Sequence, residues 1–285
     1  MLTEVKKSEV RELYPVPDKD SHKGDNGRVL IVGGSIDYYG APILTAMGAL
    51  FGGADLVTLM VPECNFEVSR SYYPDFIVKS FPGERLDARG VEIVTATAIE
   101  QDCVIMGPGM GTAAATLEAV NALIKKIHSP MVLDTAIAQV ISSQSLRDNS
   151  QIVITPHAEE FFTIFNKRLP ILLIERVNMV KKLAREFNVA ISLKGPTDVI
   201  AAPKNGDYCI NQTGNAGLTS GGTGDVLAGL IGRLLAGGLS PYDGARLGAF
   251  IVGTAGDELA LQKAHAFNAT DLAHRLPYTI QELLG

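Results

Sequence analysis

The sequence predicts an α/β fold: a mainly parallel central sheet with helices on both faces and a small hairpin late in the chain. Three observations carry this. Short runs rich in Val, Ile and Leu alternate with longer helical patterns. Most of those runs end in Gly, Pro or Asp. The runs are apolar almost throughout, as strands covered on both faces must be.

Taken in order, Arg28 to Val32 is the first strand and leads into Gly33-Gly34-Ser35. A small-residue helix follows from Ala41 to Ala54, with Pro42 suited to its opening. Leu56 to Val61 is the next strand, closed by Pro62. Cys103 to Met106 runs into Gly107-Pro108-Gly109-Met110-Gly111 and then a helix through about Ile127. Met131 to Leu133 ends at Asp134, and Ile152 to Ile154 ends at Thr155-Pro156-His157, with an amphipathic segment beyond. Val189 to Leu193 ends at Lys194-Gly195. Asp198 to Ala202 and Tyr208 to Asn211 flank Pro203-Lys204-Asn205-Gly206-Asp207, a hairpin signal. The remainder is helical: about Gly224 to Leu235, Tyr242 to Ala264, and a stretch ending near Leu284. No repeat or linker-like tract interrupts this order, so one domain over residues 1–285 is expected.

Composition narrows the function classes. A chain of 285 residues buries a substantial core without staples. Its formal net charge of −6 argues against a general nucleic-acid or membrane-surface binder, since both need a cationic face. No run approaches the roughly 18–20 apolar residues that span a bilayer, and the charged N-terminus does not read as a signal peptide. Cys64, Cys103 and Cys209 lie far apart without metal-ligand spacing, which suits reduced thiols in a cytoplasmic protein.

In parallel sheets, ligands bind beyond the carboxyl ends of the strands, and here those ends carry the glycines and polar residues. The strongest local signal is Thr213-Gly214-Asn215 through Gly221-Gly222-Thr223-Gly224-Asp225, running directly into an apolar helix. Its glycines let backbone N–H groups converge, and the helix adds free amides and its dipole, which suits a phosphate. Asp225 then fits two roles equally: a first-turn carboxylate of that helix, or a base beside the phosphate. The chain has no GxxxxGK[ST] loop, no GxGxxG fingerprint, no nucleophile elbow and no HExxH.

Together these segments resemble the ADP- or ATP-dependent NAD(P)H-hydrate dehydratases of the ribokinase-like superfamily. The matching residues are His22-Lys23-Gly24-Asp25-Asn26-Gly27, Gly33-Gly34-Ser35, Tyr39-Gly40-Ala41-Pro42 and Gly107-Pro108-Gly109-Met110-Gly111. Thr155-Pro156-His157-Ala158-Glu159-Glu160-Phe161, Lys194-Gly195 and the run from Thr213 to Gly229 complete the set. Two departures stand out. The family often has a second aspartate just after the one at Asp134, where this chain reads Thr135-Ala136-Ile137, and Ala158-Glu159-Glu160 replaces Pro-Gly-Glu.

The resemblance implies a cofactor-repair reaction. ADP or ATP would phosphorylate the ring hydroxyl of hydrated NADH or NADPH, and phosphate would then be expelled. Asp225 would be the catalytic base. Ala41, Gly109, Gly111 and His157 would join it in contacting the hydrated dinucleotide. Lys194, Gly195, Pro196, Thr197 and Asp198, with Gly222, Thr223 and Gly224, would hold the adenine nucleotide. Mg²⁺ would screen the phosphates through waters held by Glu160. The family also implies a homo-oligomer, often a tetramer, and a separate NAD(P)H-hydrate epimerase as functional partner.

Taken without the resemblance, several of these positions have plainer readings. His157 is a hydrogen-bonded loop histidine, Ala41 and Pro42 open a helix, Gly109 and Gly111 are turn glycines, and Lys194 is a solvated lysine at a turn. Two rival functions share the glycine loop: a ribokinase-like kinase of a small vitamin alcohol, and a nucleotide-binding regulator without turnover.

Overall fold

The computed structural model describes residues 2–142 and 151–285. Among the described residues the strands are β1 (Arg28–Val32), β2 (Leu56–Pro62), β3 (Phe76–Phe81), β4 (Cys103–Met106), β5 (Met131–Leu133), β6 (Ile152–Ile154), β7 (Ala190–Leu193), β8 (Asp198–Ala201) and β9 (Tyr208–Asn211). They form one sheet in the order β3-β2-β1-β4-β5-β6-β7-β8-β9. Pairing is parallel from β3 across to β7 and antiparallel through β8 and β9. The mainly parallel sheet with a terminal hairpin is the architecture expected from the sequence. Asn205 and Gly206 turn the hairpin with φ of 63° and 76°.

The period of two along each strand explains why the runs are apolar throughout. Val29 and Ile31 of β1 point into one core, with Cys103 and Ile105 of β4 beside them. Leu30 and Val32 point into the other, with Val104 and Met106. The first core is covered by α1 (Lys7–Leu13), α2 (Gly40–Phe51), α8 (Thr223–Ala236), α9 (Pro241–Lys263) and α10 (Ala269–Leu284). The second is covered by α4 (Ala88–Ala98), α5 (Ala114–Lys126), α6 (Ala158–Phe165) and α7 (Leu173–Phe187), while α3 (Phe66–Tyr72) flanks β3.

Three local features differ from expectation. The helix from Ala41 stops at Phe51, because Gly52 and Gly53 follow and Gly53 takes φ 88°. The amphipathic segment after His157 is two helices, separated where Asn166 enters the left-handed region at φ 51°. Strand β3 and helices α1, α3 and α4 were not foreseen.

Topology positions the site. The chain runs outward from β1 through β2 to β3, then returns to place β4 on the other side of β1. Strand order therefore reverses between β1 and β4, and the crevice beyond their carboxyl ends is where such sheets bind ligands. Helices α2 and α8 pack back to back over β1 and β4 through small residues. A Cβ at Gly229 would lie 2.0 Å from the Thr45 carbonyl oxygen, and one at Gly48 would lie 2.3 Å from that of Val226. This approach brings the N-termini of both helices to the crevice.

Candidate active site

The loops after β1 and β4 touch at the reversal point. Gly34 N–H donates to the Pro108 carbonyl at 2.7 Å, and Ser35 Oγ donates to that of Gly109 at 2.7 Å. Asn65 Nδ2 donates to the carbonyls of Ser35 (3.0 Å) and Tyr38 (3.3 Å), which fixes the loop leading into α2. Gly109 has φ 67°, and a Cβ there would meet Tyr38 Cβ at 3.0 Å and Ala41 Cβ at 3.2 Å. The structure thus brings Ala41 and Gly109 together, although they are far apart in sequence. Gly111 is also left-handed, at φ 71°. Both glycines therefore serve the turn.

Asp225 occupies the first turn of α8, whose N-cap Gly222 needs its φ of 91°. A Cβ on Gly222 would also strike Leu44 of α2 at 2.4 Å. Thr223 Oγ1 donates to the carbonyls of Leu218 (2.6 Å) and Ser220 (3.0 Å), pinning the approach to the helix. Gly221 is exposed, and nothing lies within 4 Å of where its Cβ would be. The Thr223 N–H is taken by the Ser220 carbonyl at 3.3 Å, so the exposed Gly221 backbone beside it marks the open side of this loop.

Lys194 links this helix end to the strand ends. Its Nζ is 3.4 Å from Asp134 Oδ1 and 3.9 Å from Glu160 Oε2, and a Cβ at Gly224 would sit 3.2 Å from it. Asp134 is 2 % exposed and also accepts from Thr155 Oγ1. Burial alone would lower the Lys194 pKa, yet Asp134, Glu160 and Asp225 together hold it above its ordinary value. Asp225 is driven the other way. Burial, then the like charge of Asp134, raise its carboxyl to about 8 against the pull of Lys194. A first-turn aspartate gains from the helix dipole, so desolvation and like charge win here.

The remaining positions divide. Asp198 Oδ1 accepts from Gly195 N–H at 2.9 Å and its Oδ2 from Asn211 Nδ2 at 3.0 Å, which closes the turn through Pro196 and Thr197. Burial raises the Asp198 pKa despite these bonds. His157 is the N-cap of α6: its Nδ1 accepts from the N–H groups of Glu159 (3.2 Å) and Glu160 (3.3 Å). Glu160 Oε2 accepts in return from His157 N–H at 2.9 Å, completing a capping box. With Nδ1 accepting, the ring proton lies on Nε2. His157 is thus hydrogen-bonded at the start of its own helix, and its exposed ring carries Nε2 3.5 Å from Glu160 Oε1.

Among the described residues no three His, Cys, Asp or Glu side chains converge into a metal cage. Three carboxylates nevertheless face the single ammonium of Lys194. Such a surplus of hard oxygen donors suits Mg²⁺, which keeps waters and takes one or two carboxylates plus phosphates.

The glycine loop, Asp225 and Lys194 are legible in the sequence, whereas Asp134 reads there only as a strand end. Its link to Lys194 spans 60 positions, so no local pattern carries it. Asn65 and Asn211 brace the two rims; Asn65 stands in a stretch with no motif, and Asn211 closes a hairpin strand whose pattern says nothing of that role.

A family model described as NAD(P)H-hydrate dehydratase matches residues 29–278. The chain is 37% identical over 273 residues to an ADP-dependent (S)-NAD(P)H-hydrate dehydratase of Cenarchaeum symbiosum, covering 94% of this chain and 93% of that protein. It is 36% identical over 264 residues to a bifunctional NAD(P)H-hydrate repair enzyme of Pyrobaculum aerophilum. That match covers 92% of this chain and 52% of the relative, so the chain spans about half the length of several curated relatives it matches. The ribokinase-like fold is shared with the ADP/ATP-dependent NAD(P)H-hydrate dehydratase of Bacillus subtilis, co-crystallised with ATP and Mg²⁺. There the TM-score is 0.82 at 26% identity, over 99% of both chains. A model matched along most of the sequence, and a relative matched end to end above 30% identity, agree on one assignment: the chain belongs to the NAD(P)H-hydrate dehydratase family.

Proposed function

We propose that this protein restores NADH and NADPH from their hydrated forms, with ADP or ATP as phosphoryl donor. The observation that carries the reading is Asp225. It is a half-buried carboxylate raised to about 8, set in the first turn of a glycine-led helix beside Lys194.

Hydroxide is a poor leaving group, so dehydration needs the ring hydroxyl converted to an ester. In this reading Asp225 accepts the hydroxyl proton while the oxygen attacks the terminal phosphoryl group, and the bridging P–O bond breaks with its electron pair leaving on the shortened nucleotide. The amides of Gly222 and Gly224, on either side of the bonded Thr223 N–H, meet the charge that develops on the transferred group. Lys194 neutralises phosphate charge as well, and Asp134 and Glu160 hold its ammonium in place. The ester then breaks at carbon: the C–O electron pair leaves with phosphate, the neighbouring ring carbon gives its proton to that phosphate or to water, and the C–H electron pair re-forms the double bond. Gly195 to Asp198 border the adenine nucleotide, while Ala41, Gly109, Gly111 and the His157 edge border the dinucleotide.

Mg²⁺ would be held by Glu160 through water, together with the phosphates, and would supply charge screening. A cytoplasmic homo-oligomer working beside an epimerase completes the proposal. No helix among the described residues is long and apolar enough to cross a membrane.

Purified protein with hydrated NADH, Mg²⁺ and either ADP or ATP is expected to regain the absorbance of the reduced nicotinamide ring. No recovery with either donor removes the dehydratase reading. A stable phosphorylated product in its place would identify a kinase.

A further inference from the structure

We propose that Arg85 binds a phosphate group of the dinucleotide substrate, and that Asp37 holds its guanidinium in position until that phosphate arrives. The inference rests on the reading of Ala41, Gly109 and Gly111 as substrate contacts. Arg85 lies in the loop between β3 and α4, and that loop is anchored on both sides. Ile36 N–H donates to the Glu84 carbonyl at 2.9 Å, and Thr116 Oγ1 of α5 donates to that of Leu86 at 2.9 Å. The side chain between these anchors faces two loops of the crevice at once. Its Nη2 pairs with Asp37 Oδ2 on the loop after β1, and its Nη1 would lie 3.3 Å from a Cβ at Gly111 on the loop after β4.

Position and chemistry agree on the ligand. Gly111 follows β4 and Lys194 follows β7, three strands apart in the sheet, a lateral span of about 14 Å at roughly 4.8 Å per strand. The donor nucleotide takes the β7 side and the reacting ring lies at Asp225. The rest of the dinucleotide then extends along the β1/β4 crevice, where Arg85 stands. Its pyrophosphate, or in NADPH also a 2′-phosphate, presents paired oxygens matched to a planar guanidinium. The side chains of Arg85 and Asp37 are 36 % and 53 % exposed. An ion pair this accessible is weak, and a phosphate carrying more charge and more acceptors displaces Asp37.

The test compares Arg85→Gln and Asp37→Asn with the unmodified protein, using both hydrates and the adenine nucleotide. Arg85→Gln is expected to raise KM for the hydrates about ten- to a hundredfold, the usual cost of one charge-assisted contact. Its kcat and its KM for the nucleotide stay within about twofold. Asp37→Asn, by freeing the guanidinium, is expected to lower the hydrate KM. A rise confined to hydrated NADPH assigns the 2′-phosphate, and an equal rise for both hydrates assigns the pyrophosphate. If both variants raise KM alike, the pair is merely a loop tether and the proposal is overturned. It is equally overturned if Arg85→Gln leaves both hydrate KM values unchanged. Titration of NADPH itself against the same proteins reads the contact without turnover. Weaker NADPH binding by Arg85→Gln supports it even if the dehydratase assay fails, and no binding by the unmodified protein overturns it.

Discussion

At the scale of single residues, Asp225 is where competing forces are most legible. Burial and Asp134 raise its carboxyl to about 8, and Lys194 opposes them. A base must be ionised to accept a proton, so kcat/KM is expected to climb with pH and level off above about 8. Asp134→Asn removes a like charge, so the same limb should move to lower pH; a limb that stays in place excludes the coupling. Asp225→Asn should lower kcat by about 10²–10⁴, while calorimetric titration shows nucleotide binding retained. Turnover near that of the unmodified protein in Asp225→Asn removes it as the base. The sequence left Asp225 equally suited to capping and catalysis. Proximity to Asp134 and Lys194, a tertiary fact, is what supports the proposal of a base.

At the scale of elements, the strand-end loops were readable because glycine and proline mark them and apolar runs precede them. Strand β3 was not, because only Phe76 and Phe81 at its ends are buried and it includes Lys79 and Ser80 at the sheet edge. The α2–α8 pair offers a contest between local and tertiary effects. Alanine in place of helical Gly229 gains about 1 kcal/mol of propensity. Its Cβ, however, would lie 2.0 Å from the Thr45 carbonyl oxygen and 2.8 Å from Ala49 N. Both are backbone atoms of a packed helix and cannot step aside cheaply. Overpacking of about 3 kcal/mol or more is therefore expected to win. Urea unfolding of Gly229→Ala should show a lower midpoint at unchanged slope, and a midpoint at or above that of the unmodified protein contradicts the packing account. The same displacement would disturb the α8 N-terminus, so activity should fall with stability.

For the whole molecule, the reversal of strand order between β1 and β4 gathers loops that the sequence could place only at strand ends. It also leaves ionisable groups partly desolvated around Lys194, and this has a global consequence. Asp225 and Asp198 both sit above their ordinary value of 3.8 because of burial. Between about pH 4 and 8 the folded protein therefore retains protons that the unfolded chain has released. Stability from these groups is complete below the unfolded pKa and is lost as pH rises through the folded one. Asp225→Asn abolishes the Asp225 share, since the amide neither ionises nor suffers desolvation as a charge. The melting temperature of the unmodified protein should fall relative to that of Asp225→Asn as pH rises from 5 to 9, with most of the change complete near pH 8. Differential scanning calorimetry across that range measures the gap directly. A constant gap would mean that Asp225 titrates as it does in the unfolded chain, and would remove the physical basis for its role as a base poised near neutral pH. A gap that opens with pH would instead show that the active site is held at a cost to the fold, as expected where function requires a desolvated carboxylate.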